Sequence, residues 1–83
     1  MASIHLDSIP LKDRQRIRRQ LSEFAQRLKV AREASGLTQE ALAEIVDTTP
    51  GYIRRVENGH DTPSLLMFLR IAGVLKLKVS LKS

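Results

Sequence analysis

The chain has 83 residues, no cysteine and no tryptophan, and 14 Lys/Arg against 9 Asp/Glu for a formal net charge of +5. That length bounds it to one small domain with a modest core, and the missing cysteine excludes disulfides and thiolate metal sites and suits a reducing cytoplasm. No apolar run approaches the roughly 20 residues that span a bilayer, and the N-terminus lacks the apolar core of a secretory signal, so no membrane partner is expected.

The charge is unevenly placed. Residues 1–35 carry eight Lys/Arg and four Asp/Glu, residues 36–64 carry two and five, and residues 65–83 carry four and none. A basic small domain favours polyanionic partners, and here the flanks, not the acidic middle, would supply the attraction. In chain order, residues 1–9 read as a flexible arm with Ile4, Leu6 and Ile9 among polar neighbours. Ser8 and Pro10 mark a helix start. Ile17, Leu21, Phe24, Leu28 and Ala31 then recur at steps of four and three and form one apolar stripe. Arg14, Arg16, Arg18 and Arg19 lie mostly on other faces. This Arg-rich segment, 14–19, is either a solvated helix face or a contact to a nucleic-acid backbone. Gly36 ends the helix in a left-handed cap.

Thr38 caps a second helix, Gln39 to Val46, whose buried side is Leu42, Ile45 and Val46. Asp47-Thr48 is a turn. Thr49 caps a third helix with Pro50 at its first position, Ile53 and Val56 inward, and Asn58-Gly59 as the stop. Thr62-Pro63 repeats the cap-plus-proline signal for a fourth helix that runs to about Leu75. That helix carries one apolar stripe of Leu65, Phe68, Leu69 and Ala72 and a second of Met67, Ile71 and Val74. An arc so wide is buried on two sides, so the second stripe is assigned to a subunit contact. Leu75, Leu77, Val79 and Leu81 alternate with polar residues, which is a strand period. A lone strand needs a partner for its backbone, and the same strand of a second copy supplies one about a two-fold axis. The organisation expected is an arm at 1–9, a helical domain at 10–75 and a dimerisation strand at 76–83, with Met67, Ile71, Val74, Leu77, Val79 and Leu81 in the homodimer interface.

The segment Gly36–Gly59, GLTQEALAEIVDTTPGYIRRVENG, is two short helices about a tight turn, followed by Pro63-Ser64-Leu65. With an arginine, Arg32, in the preceding helix, residues 24–75 resemble the Cro/repressor-type (Xre family) helix-turn-helix domain. The resemblance covers over half of the chain. It implies an all-α, lambda-repressor-like bundle of four to five helices, here with the C-terminal β-strand added. It also implies that double-stranded DNA is the partner and that the protein is cytoplasmic and nucleoid-associated, of bacterial or phage origin.

Carried over by position, the third helix would enter the major groove. Thr49, Pro50, Gly51, Tyr52 and Arg55 would face bases, with Arg55 the best reader because its fork matches guanine O6 and N7. Thr38, Gln39, Arg54, Asn58 and Gly59 would hold phosphates, Gln39 at a helix N-terminus. Arg32 and Glu57 would form a structural ion pair that sets the angle of the recognition helix. Two departures stand out. Pro50 and Gly51 offer no side-chain donor where the family often has one, and Asp47 stands where it usually has glycine.

His5 and His60 lie in an arm and a loop with no acidic cluster at ligand spacing, so no metal is expected. No nucleophilic triad or glycine-rich phosphate loop is present, so neither an enzyme nor a cofactor is expected. Two functions remain. One is a DNA-binding regulator, an autorepressor that binds a palindromic operator as a homodimer. The other is a HipB-like antitoxin, suggested by the final strand, that also neutralises a kinase-like toxin protein; the basic N-terminal extension is untypical of that group. A restriction–modification controller or a phage repressor also fits the domain, although neither usually ends in such a strand.

Overall fold

The computed structural model describes residues 9–77. Four α-helices follow one another: α1 (Leu11–Ala34), α2 (Gln39–Ile45), α3 (Pro50–Glu57) and α4 (Leu65–Val74). Among the described residues there is no strand. The N-terminal arm and the tail residues Val79 and Leu81 lie outside the described part.

Local chemistry sets the helix starts. Thr38, Thr49 and Ser64 each sit in extended backbone and accept a hydrogen bond from the N–H three residues on, at Ala41, Tyr52 and Met67. Each bond satisfies one of the donors that a helix N-terminus leaves open. The cap of α4 is therefore Ser64, two residues later than the Thr62-Pro63 signal, because the serine hydroxyl is the one that reaches a helical N–H. Pro10 precedes α1 without a side-chain cap, and its carbonyl accepts from Asp13 and Arg14 N–H at 2.9 and 3.0 Å.

All four helices stop in the same way. The N–H two residues past the C-cap returns to the carbonyl five residues back: Leu37 to Arg32, Thr48 to Ala43, His60 to Arg55 and Leu77 to Ala72. This pattern is the Schellman motif, which needs a left-handed residue just after the cap. Gly36 and Gly59 supply it at φ +74° and +76°. Asp47 and Lys76 supply it at φ +61° and +57° with a side chain attached. The second case corrects the strand expectation at its start. Leu75 caps α4, Lys76 makes the reversal, and Leu77 folds back onto the core. Leu75 and Leu77 are the C-cap and the residue two beyond it, and Leu77 packs back on the core, so their two-residue spacing belongs to a helix end and not to a strand.

The core gathers Leu28 of α1, Leu42, Ala43 and Val46 of α2, Ile53 and Val56 of α3, and Ile71 and Leu75 of α4. α2 packs on both α3 and α4, while α1 packs on α3. Burial within α1 is confined to Ala25, Leu28 and Arg32, so its basic first half extends away from the core. A 24-residue helix is about 36 Å long, against a longest molecular dimension of 39 Å.

Three assignments change. Ile71 is buried in its own protomer and leaves the expected subunit surface, while Met67, Val74 and Leu77 pack half-buried against the same core. Leu65, Leu66 and Leu69, with Leu65 and Leu69 expected inside, are exposed at 72%, 61% and 48%. Ile45 is also exposed, at 55%. The side of α4 with Ile71, Ala72 and Leu75 is buried, which leaves the Leu65, Leu66 and Leu69 side to solvent. Phe24 and Phe68 straddle the two environments and stack with ring centroids 5.0 Å apart, a favourable tilted geometry.

Candidate nucleic-acid interface

α3 has an inner and an outer side. Ile53, Val56 and Glu57 are buried, while Arg54, Arg55 and Asn58 are exposed. The inner side is locked from behind. Arg32 Nε donates to Glu57 Oε2 at 2.7 Å and Arg32 Nη2 donates to Oε1 at 3.1 Å, a bidentate fork. The two side chains are 9% and 2% exposed. Arg32 Nη1 also donates to the Leu37 carbonyl at 2.7 Å, and Gln39 Nε2 donates to Glu57 Oε1 at 3.2 Å. The Arg32–Glu57 pair thus ties the end of α3 to α1, to the α1–α2 turn through Arg32, and to the start of α2 through Gln39. The hydrogen bond to Glu57 holds the Arg32 pKa above its usual value, against the opposing pull of burial. This guanidinium is charged at any accessible pH.

The expected DNA residues fall into three settings. Thr38 and Thr49 have their hydroxyl oxygens engaged as caps, which leaves each hydroxyl proton available to donate. Gln39 Nε2 donates one hydrogen to Glu57 and so braces the helix pair, which leaves its second N–H for the expected phosphate. Pro50 forms the first position of α3. Gly51, Tyr52, Arg54, Arg55, Asn58 and Gly59 remain on or beside the outer side, half-buried or exposed. The Tyr52 hydroxyl pKa is raised, first by burial and then by the negative charge of Asp61, with Arg55 opposing. Tyr52 is therefore a neutral hydrogen-bond donor at physiological pH.

Two features were not legible in the sequence. Arg55 Nε donates to Asp61 Oδ2 at 2.8 Å, a pairing across a helix end that becomes visible only when Asn58-Gly59 is read as a reversal. Arg18, Leu21 and Ser22 of α1 line one shallow depression with Asn58, Gly59 and Thr62. Part of the Arg-rich segment therefore stands beside the expected phosphate position at the end of α3.

The helix-turn-helix family profile matches residues 28–81. The chain belongs to the helix-turn-helix family. Within it, the Xre-type DNA-binding regulators are its group. The crystal structure of the restriction-modification controller protein C.AhdI from Aeromonas hydrophila is 36% identical, with a TM-score of 0.68 over 74% of this chain and 88% of that one. No curated protein matches the chain. Among the described residues, no helix is long and apolar enough to cross a membrane.

Proposed function

We propose that this Xre-type regulator binds a palindromic operator as a homodimer and represses its own promoter, acting by binding without a catalytic step. The observation that carries this reading is the outer side of α3. It presents Gly51, Tyr52, Arg54 and Arg55 to solvent on a rod whose angle is fixed by the buried Arg32–Glu57 fork. A pre-set rod lays a narrow, donor-bearing edge in a major groove without reordering on contact. Thr38, Arg54, Asn58 and Gly59 are assigned to the flanking phosphates, and Arg18 extends that contact onto α1. Likeness to a controller protein supports a regulatory role for this chain.

The subunit surface is assigned to Ile45, Leu66, Leu69 and Arg70. Ile45 and Arg70 line one depression with Val74, and Leu66 and Leu69 are exposed apolar residues of α4. Exposed apolar patches of this kind mark interaction sites, and self-pairing about a two-fold axis suits a palindrome. The antitoxin reading drew on alternation over 77–81, whose first residue closes α4 instead.

Selection of duplexes from a random pool by the full chain tests this reading. The expected product is an inverted repeat with half-site centres about one helical turn, roughly 34 Å, apart. A pool that shows no enrichment, or that enriches a single unrepeated half-site, contradicts it.

A further inference from the structure

Asp61 belongs to no reading set above, yet its carboxylate faces the outer side of α3. The Schellman reversal at Gly59 brings it there: His60 and Asp61 N–H return to the Arg55 carbonyl at 2.8 and 3.3 Å. The same loop then takes the side chain, with Arg55 Nε on Asp61 Oδ2 at 2.8 Å. Arg55 is thus held at both its backbone and its guanidinium by one short segment. One turn earlier on the same side is Gly51, where an added Cβ would meet only Arg55 Nη1, at 3.9 Å.

A guanidinium can meet guanine O6 and N7 through Nε and one terminal nitrogen, or through both terminal nitrogens. With Nε committed to Asp61, the second approach remains. The pair is half-exposed, with side chains 54% and 38% accessible, so it adds little to stability. Its consequence is directional. A flexible arginine can swing to any phosphate, and that contact carries no sequence information. A held one is biased away from that swing, and the carboxylate beside it repels phosphate.

We infer that Asp61 is the positioning residue for a guanine contact made end-on by Nη1 and Nη2 of Arg55, so that it contributes sequence preference and not affinity. This rests on the DNA reading above. Asp61→Ala removes a negative charge and releases Arg55, so binding to a scrambled duplex strengthens while preference for the selected duplex falls.

The test uses the full chain, the duplex selected by the wild type, the same duplex with 7-deazaguanine at each guanine in turn, and a scrambled duplex. The 7-deaza base lacks the N7 acceptor and nothing else. Wild type loses about tenfold at one guanine of each half-site. Arg55→Ala abolishes that penalty, Asp61→Ala and Asp61→Asn shrink it severalfold, and Asp61→Ala adds no further change in the Arg55→Ala background. Circular dichroism checks that each variant keeps its helix content. A full 7-deaza penalty in Asp61→Ala overturns the inference, as does equal tightening on selected and scrambled duplexes. A wild type that enriches no duplex overturns the DNA reading itself, and this inference with it.

Discussion

Two arginine–carboxylate pairs lie on opposite sides of α3. Arg32–Glu57 closes at 2.7 Å and Arg55–Asp61 at 2.8 Å, so contact distance does not distinguish them. Burial does. The first pair is almost wholly withdrawn from water, and the second is about half in it. A buried pair with one partner removed leaves a charge with nowhere to go, whereas an exposed pair hands its charge back to solvent. The same chemistry therefore acts as a brace on the inner side and as a positioned tool on the outer side. The resemblance names the first pair from the sequence, whereas the pairing of Arg55 with Asp61 is not legible there.

The comparison can be broken at several points. Arg32→Ala has the largest expected effect. It strands Glu57 and the Leu37 carbonyl, and chemical denaturation should show a loss of about 3–5 kcal/mol. A loss under about 1 kcal/mol, the range of exposed pairs, would erase the distinction. Arg55→Ala comes next and moves a different quantity. It should weaken binding to the selected duplex by about 1–3 kcal/mol while changing unfolding by less than about 0.5 kcal/mol, as for an ordinary surface substitution. Unfolding and binding losses of equal size would mean that Arg55 is structural.

Thr49→Ala sharpens the boundary between the two sides. Thr49 was expected to read a base, but its oxygen accepts from Tyr52 N–H as the α3 cap. The expected outcome is a stability loss of about 1 kcal/mol with the selected consensus unchanged; a changed base preference would restore it to the reading set. Lys76→Gly is the smallest. Left-handed backbone costs a residue with a Cβ roughly 1 kcal/mol or more, partly offset by the chain entropy that glycine loses on folding. Thermal unfolding should therefore show a net gain below about 1 kcal/mol, and a loss would mean that the lysine side chain has a role of its own.

The central helix-turn-helix was readable because its signals are local. Thr38, Thr49 and Pro50 are caps and starts, Gly36 and Gly59 are stops, and Leu42, Val46, Ile53 and Val56 repeat on one face. α4 was harder for a physical reason. Nearly every position on it is apolar, so periodicity alone does not choose a face; packing against α2 and the core does. At the start of the tail, Leu75 and Leu77 carry a two-residue spacing that fits a helix end as well as a strand, while Val79 and Leu81 lie outside the described residues. Asp47 shows the reverse case. Its departure from the usual glycine keeps the same left-handed turn, with Thr48 N–H still reaching the Ala43 carbonyl at 2.8 Å. Gln39 and Asp61 were beyond reach of the sequence, because each is defined by a long-range neighbour, Glu57 and Arg55.

The claim on which the account turns is that the outward side of α3 meets DNA while its inner side stays fixed. Titrating the ¹⁵N-labelled chain with its selected duplex and following each backbone amide tests this directly. The account predicts the largest shifts at Gly51, Tyr52, Arg54 and Arg55, with Asn58 and Gly59 next, and little change at Ile53 and Ile71. Shifts concentrated on α4, with those α3 amides unmoved, would contradict it.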